Sequence, residues 1–258
     1  MEIDMTLTRP SAAHRATRPW VRLATVLALT PPLRLAALRH AVPPGVPPRS
    51  GCVACAVPIS LDRPVPALTP VARCLRCRAR VGPPPGSVEL AALAALALLV
   101  TLDLPPFALL AAGWWLGWAV PLALVDAAVH RLPDRLTYPA AAGTWLLLGA
   151  AALTGAGPGP WVRATLSGLA LAAGFATTTL LLGRRGFGLG DAKLALGTGA
   201  LLGWYGWTAP VLGLMLTFLL SALVGGILLA TRRVRWTSHL PFGPFLILGT
   251  ALTLALFG

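Results

Sequence analysis

The sequence predicts an all-α fold, a polytopic membrane bundle of about seven to eight transmembrane helices, with a small four-cysteine module near the N-terminus. Three observations predict it. Of the 258 residues, 56% are hydrophobic and only 11% are charged, whereas a soluble chain carries about 25% charged residues. The mean hydropathy is +0.76. From Val88 onward the apolar residues fall into long runs separated by short loops marked with Pro, Gly and Arg.

Residues 1–44 form a basic, weakly apolar N-terminal segment. Its longest uncharged run, Leu23 to Leu33, is eleven residues and contains Pro31 and Pro32. A span needs about twenty apolar residues, so this stretch reads as a degenerate first transmembrane helix or an interfacial segment. Residues 45–86 hold Cys52-x2-Cys55 and Cys74-x2-Cys77, with eighteen residues between the pairs. That spacing suits a four-thiolate zinc site, in which each pair supplies two ligands from one tight turn. Four cysteine ligands leave no open position, so the zinc is expected to be structural. The module is expected to need its metal to fold. Residues 87–258 form the transmembrane region, with helices expected at 88–103, 106–126, 138–154, 161–183, 191–207, 208–230 and 240–257.

The loops predict an orientation. One alternate set carries Arg131, Arg135, Arg184, Arg185, Lys193, Arg232, Arg233 and Arg235, and the opposite set carries only Arg163. Positive residues favour the cytoplasmic side, which places the first set and the cysteine module inside and the C-terminus outside. The net charge of +13 thus reflects topology and attraction to membrane lipid, and argues against a nucleic-acid partner. The tryptophans at 114, 115, 118, 204 and 207 fit an interfacial aromatic belt.

Only eight acidic residues occur. Asp126 ends the second apolar run, shortly before Pro133-Asp134. Asp191 follows Gly186-Phe187-Gly188-Leu189-Gly190 at the start of another run. An ionisable residue at a membrane segment is a functional candidate by default. The predicted topology brings both aspartates to one membrane face, where two adjacent carboxyls sharing a proton could act as the dyad of an aspartic protease. The glycines permit close approach of an extended substrate backbone. Pro133 stops the preceding helix, and Lys193 adds positive field. Against this stands a structural reading in which membrane-edge aspartates cap helices or neutralise arginines. Asp134 reads as a loop acid or cap, Glu89 and Asp103 as interfacial anchors, and His130 and His239 as isolated.

At these residues the chain resembles the type IV prepilin peptidases, membrane aspartic proteases of the Gly-x-Gly-Asp class. Arg49-Ser-Gly-Cys52-x2-Cys55 with Cys74-x2-Cys77 resembles the family's zinc module, and Ser87-Val-Glu-Leu90 the string opening its next helix. Asp126 through Leu132-Pro133-Asp134 and Gly188-Leu-Gly190-Asp191-Ala-Lys193-Leu194 resemble its two catalytic motifs. Leu240-Pro-Phe-Gly-Pro-Phe245 resembles its final helix entrance. The resemblance implies that Asp126 and Asp191 are catalytic, and that Pro133, Gly188, Gly190 and Lys193 belong to the active-site loops. Cys52, Cys55, Cys74 and Cys77 would hold Zn2+. The implied substrates are prepilins or pseudopilins, whose short basic leader is removed at the cytoplasmic face of the bacterial inner membrane.

Two departures stand out. Where the family's first span carries a Gly-Ser-Phe-Leu-Asn type string, this chain reads Leu29-Thr-Pro-Pro-Leu-Arg-Leu35. The stretch between the cysteine pairs lacks the aromatic, polar sequence of members that also methylate the new N-terminus. Methyl transfer from S-adenosylmethionine is therefore not expected. Two rival readings remain from the residues: a presenilin-like intramembrane protease, which shares the Gly-Leu-Gly-Asp string, and a proton-coupled transporter or channel using both aspartates as relays.

Overall fold

The computed structural model describes residues 19–62, 66–183, 187–235 and 240–257. Regular structure among them is helical: α1 Pro19–His40, α2 Ser87–Thr101, α3 Pro106–Val129, α4 Asp134–Ala151, α5 Pro158–Leu182, α6 Leu189–Tyr205, α7 Thr208–Ala230 and α8 Gly243–Phe257. No strand is present among the described residues, only two isolated bridges. The predicted all-α class is met. Four helices are long and apolar enough to cross a bilayer: α3, α4 with the turn that follows it, α5 and α7. The 15-residue α2 and α8 are apolar but shorter, reaching about 22 Å at 1.5 Å per residue.

The helix limits follow from the punctuation. Pro106 and Pro158 sit at the starts of α3 and α5, where a missing N–H leaves nothing unsatisfied and φ is already helical. α3 stops at His130, which is left-handed (φ 52°) and donates its N–H to the Asp126 carbonyl at 2.8 Å. Pro133 then flanks the start of α4, four residues beyond the last residue of α3. α6 ends at Gly206, with φ 153°. Arg163 on α5 donates to the last carbonyls of α6, Gly203 O at 2.7 Å and Trp204 O at 2.6 Å. The lone cation of its loop set is thus a helix cap, matched to the negative end of the dipole.

α5 and α6 form the closest pair. A Cβ at Gly199 would lie 2.7 Å from the Ser167 carbonyl, so the absence of a side chain lets these two backbones approach in the manner of small-residue membrane contacts. α3 packs with α4, α4 with α6, and α7 with α8. The central core joins Trp115, Leu122, Leu136, Leu201, Leu202 and Leu254.

Two expectations need correction. Pro31 and Pro32 do not break the N-terminal segment, because α1 runs continuously through both. An interior proline removes the N–H that would bond the carbonyl four residues back. For Pro31 that carbonyl is Leu27 O, and the Thr30 hydroxyl donates to it at 2.8 Å. Burial of Leu35, Ala37 and Leu38 offsets the remaining cost. The second correction concerns Glu89, which is not an interfacial anchor. It is 8% exposed and pairs with Arg34, itself fully buried, at 2.6 Å. Arg34 also donates to Pro83 O at 3.3 Å, so α1 is fastened to the start of α2 and to the chain just before it.

Between α1 and α2 the chain repeats one turn twice. Cys52 donates its N–H to Val57 O and accepts from Ala56 N–H; Cys74 likewise pairs with Ala79 O and Arg78 N–H. Ala56 and Arg78 are both left-handed, at φ 56° and 59°. The two turns bring their cysteines together, and the small core of Ile59, Leu68 and Val81 packs on Leu35 and Leu38 of α1.

Candidate active site

The site forms where α3 ends and α6 begins. Asp126 lies three residues before the last residue of α3, and Asp191 is the third residue of α6. Both are buried, at 5% and 9% exposure. Both line one cavity of about 550 Å³, together with Pro133, Gly188, Gly190 and Lys193. The six residues singled out in the transmembrane region therefore share one cavity.

Each carboxylate is held by a backbone amide at a helix start. Asp191 Oδ2 accepts the Gly188 N–H at 3.0 Å. The Asp191 N–H in turn donates to Gly188 O at 2.9 Å, a reciprocal arrangement like a capping box. Asp126 Oδ2 accepts the Gly243 N–H at 3.0 Å, from the first residue of α8. The first amides of a helix have no intrahelical acceptor and carry the positive end of its dipole, so both are suited to anchoring an anion. The Leu240–Phe245 string marks a helix entrance in the sequence but gives Gly243 no role of its own. Its amide reaches an acid 117 positions away, a relation no local pattern encodes.

Glycine is required sterically at two of these positions. A Cβ at Gly243 would lie 2.8 Å from Asp126 Oδ2, and one at Gly190 would lie 3.0 Å from the Leu132 Cβ. The second contact lets the start of α6 close onto the Leu132-Pro133 segment. Lys193 pairs with Asp134 at 2.6 Å and lies 5.5 Å from the Tyr138 ring centre. Asp134 is thus the first residue of α4 and an ion-pair partner, but with its side chain 58% exposed the pair contributes little to stability. The far wall of the cavity includes His40 at the end of α1, and Val42 and Val46 from the link between α1 and the cysteine turns. Arg131 donates to Pro43 O in that link at 3.2 Å. Arg131 and Arg135 make the rim cationic.

The four cysteine sulfurs lie within 4.8 Å of one another. Cys52 and Cys77 sulfurs are 3.6 Å apart, Cys55 and Cys74 3.5 Å. A tetrahedral zinc with bonds of about 2.3 Å places its sulfurs about 3.8 Å apart, so this set fits a four-thiolate metal. Backbone N–H groups of Cys77 and Arg76 bring the Cys74 thiol down to about 6, which makes it a ready anionic ligand at neutral pH.

The type IV leader peptidase family profile matches residues 110–230, a stretch containing both aspartates. A prepilin leader peptidase/N-methyltransferase of Aeromonas salmonicida is 35% identical over 207 residues, covering 77% of this chain and 68% of the relative. The chain belongs to the type IV leader peptidase family. Proteins with the same description from Burkholderia pseudomallei and Pseudomonas aeruginosa are 33% identical over 215 residues and 32% identical over 215 residues. These cover 80% and 77% of this chain, and 67% and 68% of the relatives. No solved structure matches. Membership in a peptidase family disfavours the transporter reading, and it makes this leader-peptidase chain a membrane protease.

Proposed function

We propose that this protein is an aspartic endopeptidase that removes the leader from type IV prepilins or pseudopilins at the cytoplasmic face of the membrane. The observation that carries this reading is the cavity shared by Asp126 and Asp191, each buried and each anchored by a helix-start amide. Two carboxyls in one water-accessible cavity divide the work of peptide hydrolysis. The ionised member takes a proton from water, which attacks the scissile carbonyl. The protonated member donates to the carbonyl oxygen, and the proton taken from water passes to the departing amine as the tetrahedral adduct collapses. The proton belongs to the pair rather than to a named residue.

The surroundings support the assignment of supporting roles. Gly188 and Gly190 leave room for an extended substrate chain beside Asp191. α3 ends at His130, short of Pro133, and Pro133 lines the cavity at the start of α4. Lys193, held by Asp134, adds cationic field at the rim. Zinc held by Cys52, Cys55, Cys74 and Cys77 is structural, since the four thiolates complete its shell. About seven to eight helices span the membrane, with residues 1–44 holding a degenerate first span, residues 45–86 form a cytoplasmic module, and 87–258 form the peptidase domain. Methyl transfer is left out, because the first span and the stretch between the cysteine pairs lack the sequence associated with it.

The test is cleavage of a prepilin-like substrate by purified protein in detergent, followed by leader removal on gels and by mass. Asp126→Asn and Asp191→Asn should each abolish cleavage without unfolding the protein. An active Asn variant would remove that aspartate from the mechanism.

A further inference from the structure

Both amides that hold the aspartates follow a phenylalanine directly. Phe187 precedes Gly188 and Phe242 precedes Gly243, and their ring centroids are 4.7 Å apart at an interplanar angle of 53°. Phe175 on α5 stands against Phe187 at 4.9 Å, edge-on, and against Phe242 at 5.6 Å. Phe218 on α7 closes the group, 5.8 Å from Phe187 and 5.6 Å from Phe242. These spacings lie within the range of attractive aromatic pairs.

The peptide bond turns this stack into a positional constraint. Its plane is rigid and its C=O and N–H point in opposite directions. The Gly188 N–H therefore shares a plane with the Phe187 carbonyl, and fixing one end orients the other. The Thr179 hydroxyl of α5 lies 2.5 Å from that carbonyl and 2.8 Å from the Phe175 carbonyl one turn back in its own helix, so its single proton is shared between the two acceptors with the shorter contact to Phe187. On the other side, the Phe242 carbonyl accepts the Phe245 and Leu246 N–H groups of α8 at 3.0 and 3.1 Å. This orients the Gly243 N–H toward Asp126. Ring contact between Phe187 and Phe242 then couples the two planes.

We propose that Phe187, Phe242 and Thr179 form a positioning clasp that sets the spacing of the two carboxylates through their backbone donors. The clasp rests on the aspartic-dyad reading above for its consequence in catalysis, but its structural effect stands apart from it. None of the three residues lines the cavity, so they act on the acids without contacting substrate.

Thr179→Val keeps the side-chain shape and deletes the donor, Thr179→Ser keeps the donor, and Phe187→Leu keeps apolar volume and deletes the ring. With a prepilin-like substrate, Thr179→Val and Phe187→Leu should each lower kcat about tenfold, less than the ~10²-fold a 1 Å misplacement can cause. KM should stay within about twofold, and Thr179→Ser should recover most of kcat. Wild-type kcat in Thr179→Val, or a raised KM with kcat unchanged, would overturn the clasp. Hydrogen–deuterium exchange over residues 187–191 reads the same constraint with no substrate present. Faster exchange in Thr179→Val supports the clasp, and unchanged exchange refutes it even if the wild type cleaves nothing. A wild type that folds and exchanges as expected yet cleaves nothing would instead sink the dyad.

Discussion

At the scale of single residues, the site depends on what is absent as much as on what is present. Gly243 has no side chain where a Cβ would stand 2.8 Å from the Asp126 carboxylate. Gly243→Ala must push the carboxylate or the start of α8 aside. The expected outcome is a fall in kcat of about 10- to 100-fold with little change in thermal stability, read by cleavage kinetics and a melting curve side by side. Asp126 and Asp191 were legible in the sequence because so few acids occur and because Pro and Gly mark the helix limits beside them. Gly243 and the Arg34–Glu89 pair were not. Each is a contact between distant segments, and hydrophobic patterning says which residues are buried without saying which buried groups meet.

At the scale of elements, two fastenings hold the N-terminal third. The first is the buried Arg34–Glu89 pair between α1 and α2. Removing one partner leaves the other charged and desolvated, so Arg34→Ala should destabilise the fold by about 3–5 kcal/mol. Replacing both, as Arg34→Met with Glu89→Leu, should recover most of that loss. A melting temperature unchanged in the single variant would contradict the burial. The second fastening is the cysteine cluster. Cys74→Ser should lose bound metal, measured by elemental analysis, and should expose residues 50–82 to proteolysis, because a four-thiolate module without its metal lacks a sufficient core. Full metal content in the variant would refute the four-ligand set. Protons compete with metal for the four thiolates, so affinity should weaken steadily as the pH falls. Most helix limits were readable to within a few residues from Pro and Gly. α4 starts at Asp134 rather than at 138, since Pro133 is a better helix start than the apolar pattern alone reveals. α1 escaped because its two prolines are compensated by a Thr30 hydroxyl and by tertiary burial, neither of which a local rule counts.

At the scale of the whole molecule, the charge distribution and the site agree. The helix ends that build the cavity are the ones whose loops hold Arg131, Arg135 and Lys193, the side that the positive-inside rule assigns to the cytoplasm. Single cysteines placed at 132 and 234 in a background free of other reactive thiols should resist a membrane-impermeant maleimide in intact cells. A cysteine at 157 should react. The reverse pattern would invert the topology and put the cavity on the wrong side for a leader that has not crossed. The family was legible from the ordered motifs, and their assembly into one cavity follows from α3 and α6 running so that one ends where the other starts. The most direct test of that assembly is prepilin-leader cleavage by the wild-type protein and by Asp126→Asn and Asp191→Asn, each shown to be folded. The account predicts a released leader with wild type and none with either variant; undiminished release by either variant would contradict it.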